Sequence, residues 1–217
     1  ERRISIGESK ESYQVAIKEY VVEILDDKNI ITVCRYGAKV LNTSNYTILD
    51  LDDYPISFFD YFRKISKLSK KERIIAKFEQ SIKKAPKLGT DFRIYETQKG
   101  IRVIGKTYVD PSSHGYSNLM RKMGVDWLYV RLSKKQNCYR ARLTPKPYRM
   151  KHQTIKIKSP LDCTTQDYDE WDQSYRRKSK NFSVVKLIKT LGHDFSQEPV
   201  IKKHDLTCNL GGNCKLA

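Results

Sequence analysis

The chain of 217 residues is 39% hydrophobic, 31% charged and 11% aromatic, a balance that excludes a disordered tail and a membrane-embedded bundle. Its 42 lysines and arginines against 25 acids leave a net charge of +17, which points to a polyanionic partner, nucleic acid first. Apolar stretches such as Ile30 to Cys34 break within a few residues, short of the ~18 that a spanning helix needs, so no membrane partner is expected.

Length suits one domain with an appendage. Because residue 1 is Glu and not Met, the natural start is expected to lie upstream. Five cysteines, Cys34, Cys138, Cys163, Cys208 and Cys214, are an odd number at irregular spacing in a chain too large to need staples. That usage points to a reducing cytoplasm.

In chain order, Tyr20 to Leu25 and Ile30 to Arg35 flank the turn residues Asp26 to Asn29 and predict a β-hairpin. Tyr46 to Asp53 reads as a short strand ending in acids, stopped by Pro55. Ser69 to Ala85 predicts a helix with Ser69 as N-cap, Glu72 completing a capping box, and Pro86 ending it. Two strands, Phe92 to Glu96 and Ile101 to Gly105, surround the turn at Gly100. Ser113 to Met123 predicts a short helix closed by Gly124. Trp127 to Leu132 and Cys138 to Leu143 read as strands, and a helix is expected from Asp169 to about Leu191.

The order strand, helix, strand, strand, helix, strand predicts an α+β fold with a ferredoxin-like or RNA-recognition-like βαββαβ core. The expected segments are an N-terminal hairpin region (1–45), the core (46–150), and a linker with a helical appendage (151–217).

The cations are unevenly spread. Between Asp126 and Asp162 no acid occurs, while Arg131, Lys134, Lys135, Arg140, Arg142, Lys146, Arg149, Lys151, Lys156 and Lys158 fall in the gap. Tyr129, Tyr139, Tyr148 and His152 are interleaved with them, offering stacking faces beside phosphate donors. The expected interface for single-stranded DNA or RNA is therefore Tyr129, Arg131, Lys134, Lys135, Tyr139, Arg140, Arg142, Lys146, Tyr148 and Arg149. A second cationic cluster between Arg63 and Lys87 surrounds the helical stripe Ile74, Ile75, Phe78 and Ile82, so it also suits the solvated face of a helix.

Asp50 and Asp52, at i and i+2 of a strand, point to one face and could present two carboxylates to one divalent cation. The same acids suit a turn cap or pairing with nearby lysines. Followed one helix later by Tyr95-Glu96-Thr97-Gln98-Lys99-Gly100-Ile101-Arg102-Val103, they resemble the archaeo-eukaryotic primase-polymerase superfamily. That resemblance implies an RNA-recognition-like fold and nucleotidyl transfer, with Mg²⁺ or Mn²⁺ held by Asp50 and Asp52. It makes Asp126 the candidate third acid. Arg102 stands where the superfamily's histidine is most easily aligned, and the nearest histidine is His114.

A second resemblance runs through Leu128 to Leu132, Arg140 to Pro147, His204-Asp205 and Leu216-Ala217. It is to a family of uncharacterised bacterial proteins, implies no activity, and implies that Ala217 is the natural C-terminus.

Zinc is not expected: His204, Cys208 and Cys214, with His193 or Cys163, form no CxxC knuckle. No nucleophile elbow or phosphate-binding glycine loop occurs either. Trp127 and Trp171 are expected to be core or packing residues, with stacking on a base as the alternative for either. The aromatics Tyr54, Phe58, Phe59, Tyr61 and Phe62 suit a core or, for a basic subunit of a larger nucleoprotein assembly, a patch for other protein subunits.

Overall fold

A computed structural model describes residues 10, 18–53, 64–211 and 214–217. The aromatic run from Tyr54 to Phe62 lies outside the described residues, as does Arg63. Among the described residues the fold is α+β, with two four-stranded antiparallel sheets and five α-helices.

The first sheet has the order β1-β2-β3-β7, with β1 Tyr20–Asp26, β2 Asn29–Val33, β3 Lys39–Thr43 and β7 Tyr139–Arg142. The expected hairpin is β1–β2, whose register pairs Asp26 with Asn29. Asp26 fixes the turn by accepting the Lys28 backbone N–H at 2.8 Å and the Asn29 side-chain amide. The second sheet has the order β4-β6-β5-β9, with β4 Thr47–Leu51, β5 Phe92–Glu96, β6 Ile101–Gly105 and β9 Lys186–Leu191. A short parallel pair joins β8, Phe182–Ser183, to β10, Lys215–Leu216.

Helix α1, Lys70–Ile82, starts at the capping box of Ser69 and Glu72. It buries Ile74 and Phe78, and Phe78 meets Phe92 of β5 edge to face at 5.4 Å. Lys70 is exposed, Lys71, Arg73 and Lys77 are partly buried, and Lys71 pairs with Glu96. Since β6 is antiparallel to both β4 and β5, those two run the same way with β6 between them. The unit β4–α1–β5–β6 is thus a split βαβ, the half of the expected core that local pattern dictates.

The other half differs. Trp127 to Leu132, expected as the closing strand, is helical: α3 spans Trp127–Gln136 and follows α2, Tyr116–Lys122. Asp126 decides this locally by accepting the Tyr129 backbone N–H at 3.0 Å, an N-cap that outweighs the β-formers in the run. The fourth strand of the second sheet is instead β9, on the β5 edge.

The helix expected to reach Leu191 ends at Ser179: α4 is Gln166–Ser179, and Lys186–Leu191 pairs with β5, a long-range contact no local pattern carries. Helix α5, Pro199–Thr207, and strand β3 are further elements. The β3–β7 and β5–β9 ladders cross both expected segment boundaries, 45/46 and 150/151. One contiguous core joins Ile31 and Leu41 of the first sheet to Ile48, Ile94 and Val103 of the second. Among the described residues no helix is long and apolar enough to cross a membrane.

Candidate nucleic-acid interface

The ten residues expected at the interface fall into three environments. The first is a groove of about 630 Å³ between α2 and α3, lined by Asn118, Arg121, Trp127, Arg131, Lys134 and Lys135 among others. The two helices are joined by four residues, Met123 to Asp126, with Gly124 at a φ of 78° that closes α2. Because α3 starts at Trp127, Trp127, Arg131 and Lys134 stand at i, i+4 and i+7 and share one stripe. Val130 turns inward. Trp127 is 67% exposed, contrary to the packing role expected for it, and the three cations of α3 are exposed beside it. An open indole flanked by lysines and arginines provides a base-stacking face with phosphate donors at its edge.

The second environment is internal. Tyr139 is fully buried and its hydroxyl donates to the Val109 carbonyl at 2.6 Å. Tyr129 is half-buried, its hydroxyl donating to the Arg140 carbonyl at 3.1 Å. Arg140 grips the Glu19 carboxylate with two contacts of 2.6 and 2.8 Å. These three make internal contacts that hold β7 in place, and Tyr139 presents no face to solvent.

The third environment begins at Arg142, the last residue of β7. Beyond it, Thr144 Oγ1 accepts the Lys39 backbone N–H at 2.8 Å. The Tyr175 hydroxyl reaches both Thr144 Oγ1 and the Pro145 carbonyl at 2.7 Å. Pro147–Met150 then forms a 3₁₀ turn. Lys146 Nζ lies 5.8 Å from the Tyr36 ring centroid and 5.9 Å from that of Tyr148, and the Arg149 guanidinium lies 6.0 Å from the latter.

Among the described residues Arg142, Lys146 and Arg149 form no ion pair with an acid. Burial pushes the Arg142 guanidinium below its ordinary range, with Tyr36 opposing and Arg102 and Arg149 adding to the shift. Lys146 is lowered by burial and then by Arg142. Burial pushes the Tyr36 phenol up to about 12, which keeps it a hydrogen-bond donor.

The acids are arranged otherwise. Asp50 faces Arg102 across the β4–β6 ladder, and Arg102 Nε donates to Asp50 Oδ1 at 3.3 Å while Nη1 donates to the Arg142 carbonyl at 2.8 Å. Burial opposes the Arg102 charge, and Asp50, together with Cys208 and Tyr129, more than restores it. Asp52 is exposed, just past the last residue of β4, and its Oδ1 lies 3.1 Å from where a Cβ on Gly100 would stand. Asp126 is the α3 cap. Among the described residues no three His, Cys, Asp or Glu side chains gather into a group able to hold a metal ion.

His204 of α5 is fully buried, with Nδ1 2.8 Å from Asp205 and Nε2 3.4 Å from Arg102 Nη1. Asp205 also accepts from Tyr95 at 2.9 Å and from Arg93 at 2.8 Å. Burial disfavours the His204 imidazolium, but Cys208 and Asp205 outweigh it and lift its pKa to about 9. Cys163 sits in a different cluster, against Val33 and Tyr168.

No protein-family model, curated protein or solved structure matches the chain. The interface therefore rests on its own geometry. Sequence reasoning overlooked Arg121 and Tyr36, and gave base stacking by Trp127 only as an alternative to packing. The cap at Asp126 was the available signal for the first group, because a helix starting there brings Trp127 and Arg131 to one side. Tyr36 carried no signal, since its approach to Lys146 joins residues far apart in sequence.

Proposed function

We propose that the chain binds single-stranded nucleic acid, with Trp127 stacking a base and Arg121, Arg131, Lys134 and Lys135 holding phosphates along the α2–α3 groove. The observation that carries this reading is the 67% exposure of Trp127 among those cations. An indole left in water costs hydrophobic burial that a packing role would have recovered, whereas stacking on a base uses that surface. The overall +17 charge supplies the long-range attraction.

The test is binding of fluorescent single-stranded and duplex DNA and RNA to the parent and to Trp127→Ala. Stacking is worth ~1–3 kcal/mol per base, so the substitution weakens single-strand binding between about fivefold and about 150-fold. Unchanged single-strand binding, or a preference for duplex, rejects the reading.

A second reading, a basic subunit of a larger assembly, is favoured by Leu128 and Leu132, exposed at 48% and 44% one turn apart on α3. It predicts weak binding by the isolated chain that Leu128→Ser with Leu132→Ser leaves unaltered.

A further inference from the structure

The Arg142 cluster is built differently from the α2–α3 groove. Its cations are partly buried and its backbone is fixed by Pro145, Pro147 and the Tyr175 hydrogen bonds. Three positive charges gather there with no carboxylate in ion-pair contact among the described residues, and their close partners are the phenol rings of Tyr36 and Tyr148. The buried Nε groups of Arg142 and Arg149 have no hydrogen-bond partner among the described residues. Neighbouring Arg102 adds no free charge, being matched by Asp50. Fixed guanidinium donors of this kind suit a planar or tetrahedral oxyanion. The Tyr148 ring, 57% exposed between Lys146 and Arg149, leaves a face to solvent.

From this geometry we infer that Tyr36, Arg142, Lys146 and Arg149 form a binding site for a phosphomonoester, with Tyr148 as the face for the base that the ester carries. Charge selects the monoester: it bears about −1.5 to −2 at neutral pH, against about −1 for a backbone diester, and three unmatched cations favour the higher charge. The ester is either a free nucleotide or the terminal phosphate of a strand, and only the second source rests on the strand-binding reading above.

The test uses the full chain in two arms at constant ionic strength. Calorimetry follows a nucleoside monophosphate, the matching nucleoside and dimethyl phosphate. Anisotropy follows one single strand ending in a phosphate or in a hydroxyl. Lys146→Met and Arg149→Met are the variants, since both side chains lie outside the β7 ladder, and thermal melting checks that each folds. Arg131→Ala with Lys134→Ala serves as the control.

The monophosphate is expected to bind at least about tenfold more tightly than the nucleoside or the diester, and each Met variant to remove most of that preference while the control keeps it. Tighter binding of the phosphate-ended strand, lost in the same variants, makes the strand end the source. A monophosphate preference without it makes the free nucleotide the source. No strand binding by the parent, with its monophosphate preference intact, overturns the strand-binding reading and leaves this site standing. Equal binding of monophosphate and nucleoside, or a preference that survives both variants, overturns the site.

Discussion

Asp50 and Arg102 are partners across the β4–β6 ladder, and the buried guanidinium takes the carboxylate at 3.3 Å while its other arm holds the Arg142 carbonyl. The pair connects the second sheet to the end of β7, and so to the cationic cluster that begins there. A positive charge thus already stands beside the first acid of the Asp50-Leu51-Asp52 sequence.

Removing that carboxylate is expected to cost stability. Asp50→Asn leaves Arg102 buried without its counter-charge, and because the Asp50 side chain is 37% exposed the loss is about 1–2 kcal/mol, less than for a fully buried pair. Urea unfolding measures it. A stability equal to the parent's contradicts the pairing, whereas single-strand affinity is expected to stay unchanged.

A second structural pair is Arg140 with Glu19. Both side chains are largely buried, and Glu19 also accepts from the Thr32 hydroxyl at 2.7 Å. Arg140→Ala strands that carboxylate and is expected to lower stability by about 3 kcal/mol, with no change in strand affinity at temperatures where the variant stays folded. A drop in affinity at full stability places Arg140 on the interface after all.

Much of this arrangement was legible in local pattern, and the limits have physical causes. Ser69 and Glu72 form the capping box, and Gly100 turns the β5–β6 hairpin, because both depend on residues a few positions apart. Trp127 to Leu132 misleads because Leu128, Val130 and Leu132 alternate like a strand, yet as a helix the run exposes Leu128 and Leu132 and buries Val130. Lys186 to Leu191 becomes a strand only through pairing with β5. At the site, Arg131, Lys134 and Lys135 are exposed where charge counting put them, whereas Tyr139 turns into the core and Arg140, on the other face of β7, is taken up by Glu19, both tertiary facts.

The His204 network carries a pH signature. Its pKa is lifted from an ordinary 6.5 to about 9, so the folded state binds the proton more tightly than the unfolded chain does. The resulting stabilisation, about 3 kcal/mol, is complete below about pH 6.5 and is lost as pH rises through about 9. The groups facing the ring include Asp205, Cys208 and Arg102, with the Tyr95 ring 5.3 Å away edge to face. The parent's urea midpoint is expected to fall between pH 6 and pH 9.5, and His204→Gln to flatten that dependence. A midpoint that holds in the parent, or falls as steeply in the variant, contradicts a charged His204.

On the proposed reading, the exposed face of α3 meets the phosphates of a single strand. The most direct measurement of this is the salt dependence of single-strand affinity for the parent and for Arg131→Ala with Lys134→Ala. Each phosphate neutralised contributes about 0.7 to the log–log slope, so losing two contacts is expected to flatten it by about 1.4 and to weaken binding at low salt. A variant with the parent's slope and affinity contradicts the account.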